Sequence, residues 1–497
     1  MVVTFETILD HKVAQVSPVH PLTNAYAMPG RLGVANVRAH SLSILHAHIM
    51  PFRPRIAIVR PLSLSHIHTM PFQPRIAIVG GGPSGLALSL LLQQRGIWPT
   101  IYELRCKPTP EELAKPSGML DLHEESGLRV MRECGMWDGF QAAVGDCSEA
   151  CRVLNPQGTV LHTDEGELAY RPEIARNALT NLLLKNVSSD FVKWNHKIEA
   201  VRHIHNATTG VTEIALDLGD KGTAIHDFVV GADGAWSRVR KLLTDVKPFY
   251  SGAQMVTVTL RNASTKYPHL VELNGSGTLY ALGGGNGIMT HRGPQDSIRV
   301  YAVLKTPQEN WTNAAGLEGR TAADVKMALL GDDKLFGKWA PPLQDLLATA
   351  CDEDTKDNPN RPADILPLYM LPIGCRWGSS TGATLVGDAA HLMTPWGGEG
   401  VNMALWDSLD LARAIGEVPE VESAAAWQKA FGPRVREYEE AILARAQEKA
   451  EETVKNMDMF LSENGGQAMA DMFKMFEEMA TAGELPKRRK MEADGDS

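Results

Sequence analysis

One local unit limits the fold of this chain more than any other. Pro74-Arg75-Ile76-Ala77-Ile78-Val79 is a short, largely β-branched run of the kind that forms a buried parallel strand. It leads directly into Gly80-Gly81-Gly82-Pro83-Ser84-Gly85, and then into Leu86-Ala87-Leu88-Ser89-Leu90-Leu91-Leu92-Gln93-Gln94, an apolar helix ending near Gly96. Thr100-Ile101-Tyr102-Glu103 follows as a second strand. Gly80 permits the tight turn, Gly82 lets the backbone approach a pyrophosphate, and Gly85 lets helix and strand pack closely. The helix start offers free N–H groups and a positive dipole end to phosphate. Glu103 stands where an acid accepts hydrogen bonds from a ribose 2′-OH, which suits FAD or NAD and disfavours the 2′-phosphate of NADP. The plainer alternative is a glycine turn in some other α/β protein. The expectation is an α/β fold with a Rossmann-type domain.

The strand sequence of this unit occurs twice. Ser43 to Val59 is nearly repeated as Ser63 to Val79, but the first copy runs into Arg60-Pro61, which cannot make the turn of a dinucleotide site. Two readings fit residues 1–69: an extra strand or Arg-containing, acid-poor targeting arm, and a duplicated or misjoined exon with translation starting at Met70. The second is preferred, because one short repeat is not a solenoid array. Residues 1–69 are then an irregular, dispensable extension. Met1 to Pro18 lacks the basic-then-apolar layout of a signal peptide.

Bulk properties exclude several classes. A net charge of −10 argues against a nucleic-acid partner. No apolar run reaches the ~18 residues needed to span a bilayer. Cys106, Cys134, Cys147, Cys151, Cys351 and Cys375 are scattered without framework spacing, as reduced thiols of a cytoplasmic protein are. Cys147 and Cys151 could share a helix face, yet no second Cys or His pair completes a zinc site, so no metal is expected. The cluster Gly283-Gly284-Gly285-Asn286-Gly287 lies between alternating runs and reads as a hairpin turn. A single dinucleotide domain must therefore serve.

Two later segments complete a set. Phe228-Val229-Val230-Gly231-Ala232-Asp233-Gly234 is followed by Ser237 and Arg240. Ala383-Thr384-Leu385-Val386-Gly387-Asp388-Ala389-Ala390-His391 continues into Pro395-Trp396-Gly397-Gly398-Glu399-Gly400-Val401-Asn402. With the glycine loop, these resemble the FAD-dependent aromatic hydroxylases, the group A flavin monooxygenases built like para-hydroxybenzoate hydroxylase. Ser117 to His123, Pro172 to Asn177 and Lys305-Thr306-Pro307 look most like segments of the tetracycline-degrading members. The resemblance covers about residues 72 to 460.

It implies non-covalent FAD, reduced by NADPH or NADH, with O₂ and a small-molecule substrate as the other partners. It implies hydroxylation of an aromatic or polyketide-like compound through a flavin C4a-hydroperoxide, with no side chain required as a nucleophile. It carries FAD contacts onto Gly80, Gly82, Gly85, Glu103, Arg105, Asp121, Arg176, Asp233, Gly234, Asp388, Pro395, Gly397, Gly400, Val401 and Asn402. Arg105 and Arg176 also fit as surface ion-pair partners. A helix from about Val401 to Ile415 points its N-terminus at the flavin pyrimidine ring, where reduced flavin carries negative charge. Lys115 is a substitute for the Arg that the tetracycline enzymes place near the nicotinamide, since Ala114 stands at that position. Thr257, Met289, Arg299 and Tyr301 are the substrate candidates, and the departures at Thr257 and Arg299 put tetracycline itself in doubt. Arg299 either faces an acidic, phenolate or polyketide-like substrate or points to solvent on an alternating strand.

The expected organisation is an FAD-binding domain over 70–245 and 376–420, and an inserted antiparallel-sheet substrate domain over 246–375. C-terminal helices follow over 421–485, then a solvated tail over 486–497; the whole is expected to be a monomer. Two rival functions share the motifs: an FAD epoxidase or dehydrogenase acting on a terpenoid or alkaloid, and a non-catalytic flavin- or small-molecule-binding protein.

Overall fold

The computed structural model describes residues 71–144, 148–166, 171–378 and 382–482. The readings made for residues 1–69, Cys147 and the 486–497 tail fall outside them.

The β-branched run forms the strand Ile76–Val79, buried along its whole length. It sits at the centre of a parallel sheet whose strands run in the order Ala383–Leu385, Phe228–Gly231, Ile76–Val79, Thr100–Tyr102, Val192–Lys193. The three sequence motifs are thus the loops at the carboxyl ends of three adjacent strands. In an open parallel sheet that edge is where ligands bind. Helix Pro83–Gln93 buries nearly every side chain between the sheet and helix Gly400–Gly416, because a helix apolar on all sides must be covered on all sides.

A second sheet carries the strands Asp364–Met370, Phe249–Leu260, Ser297–Lys305, Asn286–Gly293, Thr278–Gly283, Cys151–Leu154 and Val160–Asp164, in that order. It reaches outside residues 246–375: Cys151–Leu154 joins Thr278–Gly283 as a parallel neighbour. Gly284 and Gly285, both at positive φ, close the hairpin that the alternating runs indicate. Strand alternation gives this sheet two unlike faces. One carries Val256, Val258, Ile288, Val300 and Ala302, and packs on helices Ala322–Gly331 and Pro341–Asp357, which strand-centred reading of this region missed. The other carries Thr257, Thr259, Met289, His291, Arg299 and Tyr301, with Tyr280 and Val303 beside them.

Part of that second face is covered by the C-terminal helices. Ala424–Phe460 is capped by Ser423, whose side chain accepts from the Ala426 N–H, and contains Pro433. In helix Gly465–Thr481, Met469, Met472, Phe473 and Phe476 are buried against Tyr280, Leu282 and Trp396, so the methionine-rich stretch is packing material. No helix among the described residues is long and apolar enough to cross a membrane.

Candidate functional site

The glycine loop is built by close approach at two positions and left open at a third. Gly80 has φ +110°, and a Cβ there would lie 2.1 Å from the Ala232 carbonyl oxygen. A Cβ on Gly85 would lie 2.1 Å from the Gly80 oxygen. Both glycines are therefore required by the protein itself. A Cβ on Gly82 would meet nothing within 4 Å, and the same is true of Gly400 at the start of helix Gly400–Gly416. Two helix N-termini thus face open space that protein backbone does not fill.

The acids of the motifs divide into engaged and unengaged groups. Glu103 is buried; its Oε2 accepts from the Gly81 N–H at 2.6 Å, and its Oε1 accepts from the Arg105 backbone N–H at 2.9 Å and Nε at 2.7 Å. Burial alone would raise its pKa, but these bonds prevail and lower it. Arg105 is thereby an exposed ion-pair partner as well as a flank of the site. Asp233 accepts from Ser237 Oγ at 2.5 Å, the Arg238 N–H at 2.6 Å and the Val239 N–H at 3.3 Å, so its carboxylate ties its own turn and leaves Gly234, at φ +72°, as the exposed backbone. Buried Arg240 donates to the Ala389 carbonyl at 2.9 Å and joins the middle motif to the late one.

Asp388 is different. It stands exposed at the start of the short helix Asp388–His391, with no hydrogen-bond partner for its carboxylate among the described residues. The surrounding groove desolvates it and raises its pKa, against the attraction of His391, Arg176 and Arg240. Arg176 is exposed, has no ion-pair partner among the described residues, and sits close enough to act on both Asp388 and Tyr301. It lies between the parallel-sheet side and the second sheet. An unpaired acid, an unpaired guanidinium, a bare Gly82 and an open helix start suit a molecule with hydroxyls, phosphates and an electron-accepting ring, which is the chemistry of FAD.

A two-stranded ribbon links the two sides. Met119–Asp121 pairs antiparallel with Glu173–Ala175, setting Asp121 opposite Glu173. Asp121 Oδ2 lies 3.1 Å from His123 Nε2 and 4.0 Å from Arg171 Nη1; burial opposes its ionisation, but His123 and Arg171 prevail and hold its pKa well below the usual range. Burial, and then the charge of Asp121, push half-buried Glu173 up to about 7. Asn402 is buried: its Oδ1 accepts from the His123 N–H at 2.9 Å and its Nδ2 donates to the Asp121 carbonyl at 2.9 Å. Its side chain braces this ribbon. Pro395 is exposed and Gly397 is packed so tightly that a Cβ would meet Thr453 Oγ1 at 2.5 Å.

On the second sheet, register brings the four substrate candidates together. Thr257 is opposite Tyr301, and Tyr301 is opposite Met289, which is opposite Tyr280. Thr259, Arg299 and His291 form the next row, and Arg299 Nη1 donates to Thr259 Oγ1 at 3.0 Å. Arg299 is half-buried on this face. Tyr301 borders the ribbon, since a Cβ on Gly118 would lie 3.2 Å from its hydroxyl. Lys115 is exposed in the loop after Pro110–Leu113, and its carbonyl accepts from Asn177 Nδ2. Sequence reasoning passed over His123, Arg171, Glu173, Tyr280, His291 and Glu399. Asp121 and His123, two apart beyond a strand, were the available signal for the first. A groove of about 590 Å³ opens elsewhere, between the Gly283–Asn286 hairpin and the turn before Gly465; it contains none of these groups.

Comparisons with known proteins give the family and the fold. The family profile described as "FAD binding domain" matches residues 74–317 and 380–446. "Monooxygenase penA" of Penicillium thymicola is 32% identical over 429 residues, covering 80% of this chain and 97% of the relative. Among solved structures, Klebsiella pneumoniae HpxO complexed with FAD and uric acid superposes with a TM-score of 0.62 at 19% identity, over 82% of this chain and 95% of that one. The tetracycline destructase Tet(55) gives 0.57 at 17%, over 84% and 100%. At such identities the structures speak for the fold alone. The chain belongs to the FAD-binding flavin monooxygenases of the aromatic-hydroxylase type, and it is an FAD-dependent enzyme.

Proposed function

We propose that the chain takes reducing equivalents from NADPH or NADH and inserts one oxygen atom of O₂ into a small aromatic or enolised, polyketide-like molecule lying between the parallel-sheet edge and the second sheet. Bound FAD supplies the redox chemistry. The chain's own part is to hold, orient and exclude water. Gly82 and the Pro83–Gln93 helix start would receive the pyrophosphate. Asp388 would accept hydrogen bonds from sugar hydroxyls, Arg176 would reach toward the ring side, and the Gly400 helix start would offer its N–H groups to negative charge there. Glu103 and Asn402 work through their neighbours, by fixing Gly81 and the Asp121 strand. Arg299, Tyr301, Met289 and Thr257 form the opposite wall. Arg299 favours an anionic or phenolic group, and Glu173 can hold or take a proton at its carboxyl near neutrality. The nicotinamide donor has no second dinucleotide fold to occupy among the described residues, so it docks at the surface, with Lys115 as its candidate contact. The chain is taken to act as a cytoplasmic monomer.

The observation that carries this reading is that Asp388 and Arg176, neither with a side-chain partner among the described residues, lie near enough to act on each other, and Arg176 on Tyr301 of the second sheet as well. The test is the absorbance spectrum of the purified chain, followed by NADPH and NADH oxidation with phenols, polyketides and tetracyclines. A compound that accelerates oxidation and gains 16 mass units supports it. A product lighter by 2 would make the protein a dehydrogenase. Oxidation that no compound class stimulates would leave a flavin-binding protein in place of the enzyme proposed.

A further inference from the structure

Among the buried titratable groups that the proposed contacts leave unused, one lies beside the site. His123 is 2% exposed, directly beyond strand Met119–Asp121. Its Nε2 lies 3.1 Å from Asp121 Oδ2 and its Nδ1 3.4 Å from Glu399 Oε2. Glu399 belongs to the loop that precedes helix Gly400–Gly416, and its Oε1 is 3.1 Å from Lys449 Nζ on the long C-terminal helix. The other charged or titratable groups facing it are Glu125 at 3.9 Å from Nδ1, Arg171 and Glu173 beside Asp121, and Glu448 and Glu452 near Lys449. A line of alternating charge, Asp121, His123, Glu399, Lys449, therefore runs behind the ring-side loop from the ribbon to the last long helix. Nε2 is hydrogen-bonded to Asp121, whereas Nδ1 meets Glu399 as an ion pair without hydrogen-bond geometry; an imidazole set between two carboxylates is favoured in its charged, protonated form. Burial and the Arg171 charge work against that proton, but the two acids outweigh them and hold the His123 pKa above its ordinary value. In turn Glu399, whose burial would raise it, is drawn down to about 2 by His123 and Lys449.

We propose that His123 is a positioning residue of the FAD site: its imidazolium clamps the Asp121 strand to Glu399 and so holds the Pro395–Gly400 loop in the shape that receives the flavin ring. This rests on the reading above that the loop is the ring side of the site. A histidine whose pKa is raised in the fold gives its full contribution below the ordinary histidine range and loses it as pH rises through the folded value. FAD binding should then weaken with rising pH, by about tenfold for each unit by which the cofactor raises the His123 pKa further.

The experiment is titration of FAD into the deflavinated full-length protein from about pH 6 to 9, read by flavin fluorescence, with thermal melts of each apo-protein. The wild type is expected to bind less tightly at each higher pH. His123→Gln, a neutral residue of similar reach, should bind more weakly at low pH and show a clearly shallower profile, keeping only what Glu173 contributes. Glu399→Gln should reduce the slope, and Asp388→Ala should weaken binding at every pH with the slope kept. A flat wild-type profile, or a His123→Gln profile parallel to wild type, overturns the clamp. If His123→Gln fails to fold, an undiminished slope in Glu399→Gln overturns it instead. A wild type that binds no FAD at any pH overturns the cofactor reading, and the clamp with it.

Discussion

The two walls of the site are built by different means. On the parallel-sheet side, the shape is a matter of backbone: Gly80 and Gly85 sit where a Cβ would strike a carbonyl oxygen at 2.1 Å, and Asp233, Glu103 and Arg240 spend their side chains on holding loops. On the other side, the backbone is an ordinary antiparallel sheet, and the shape is a matter of which side chains its register places together, Thr257 by Tyr301 by Met289. The first wall resists change because each part is fixed by contact. The second can change its ligand by exchanging side chains on an unchanged frame. A cofactor-dependent enzyme needs that division, since one cofactor must meet many substrates.

The difference can be broken most sharply within the glycine loop itself. Gly80→Ala combines positive φ with a 2.1 Å clash, so it should cost on the order of 3–5 kcal/mol of stability even without cofactor. Gly82→Ala meets nothing within 4 Å; its apo-protein should lose about 1 kcal/mol or less, while FAD affinity falls by roughly two orders of magnitude through steric exclusion of the pyrophosphate. Denaturant unfolding of both apo-proteins decides the matter, and equal losses would refute the distinction. Next in size is Asp388→Ala, expected to lower FAD affinity by roughly 10–100-fold through lost charge-assisted bonds while leaving the fold intact. A variant purified fully yellow would remove Asp388 from the site. Across the cleft, Arg299→Ala should keep its flavin and lose about tenfold in substrate-stimulated NAD(P)H oxidation; loss of flavin instead would place Arg299 on the wrong wall.

The last expected effect lies away from both walls and concerns stability alone. His226 is buried against Tyr102, its Nε2 3.1 Å from the hydroxyl, and burial followed by the Arg75 charge pushes it down to about 4. A histidine kept neutral in the fold contributes nothing to pH dependence above its ordinary range. Below about pH 6.5 the unfolded chain gains a proton that the native one refuses, so stability should fall by up to ~1.4 kcal/mol per pH unit until about pH 4. His226→Gln should flatten that part of the curve when melting temperature is followed against pH.

Much of the first wall was legible in the chain. The strand, glycines, helix and terminal acid of residues 74–103 are contiguous, and the geometry they require is local: a positive φ, a missing Cβ, a free helix start. The motifs at Asp233 and Asp388 were legible through their resemblance to a known family, and the apolar runs before them fold as the parallel strands Phe228–Gly231 and Ala383–Leu385. The second wall was legible only as alternation. That Arg299 faces Tyr301's side of the sheet, and not the helices over Val300, is set by pairing with strands more than ten residues away. The recruitment of Cys151–Leu154 beside Thr278–Gly283 joins segments over a hundred residues apart, and no local signal announces it.

His123 and Glu399 make the same point inside the cofactor wall. Each lay in a segment already singled out, yet nothing about either residue alone separates a surface charge from a buried pair. Their meeting at 3.4 Å depends on two loops converging under Lys449. What the sequence by itself determined is the strand–turn–helix–strand unit, the dinucleotide turn and the class of cofactor, because those rest on backbone conformation, and backbone preference is local. What only the tertiary structure decided is which charges are buried together and which side chains share the substrate face, because desolvation and cross-strand contact exist only once distant segments have packed.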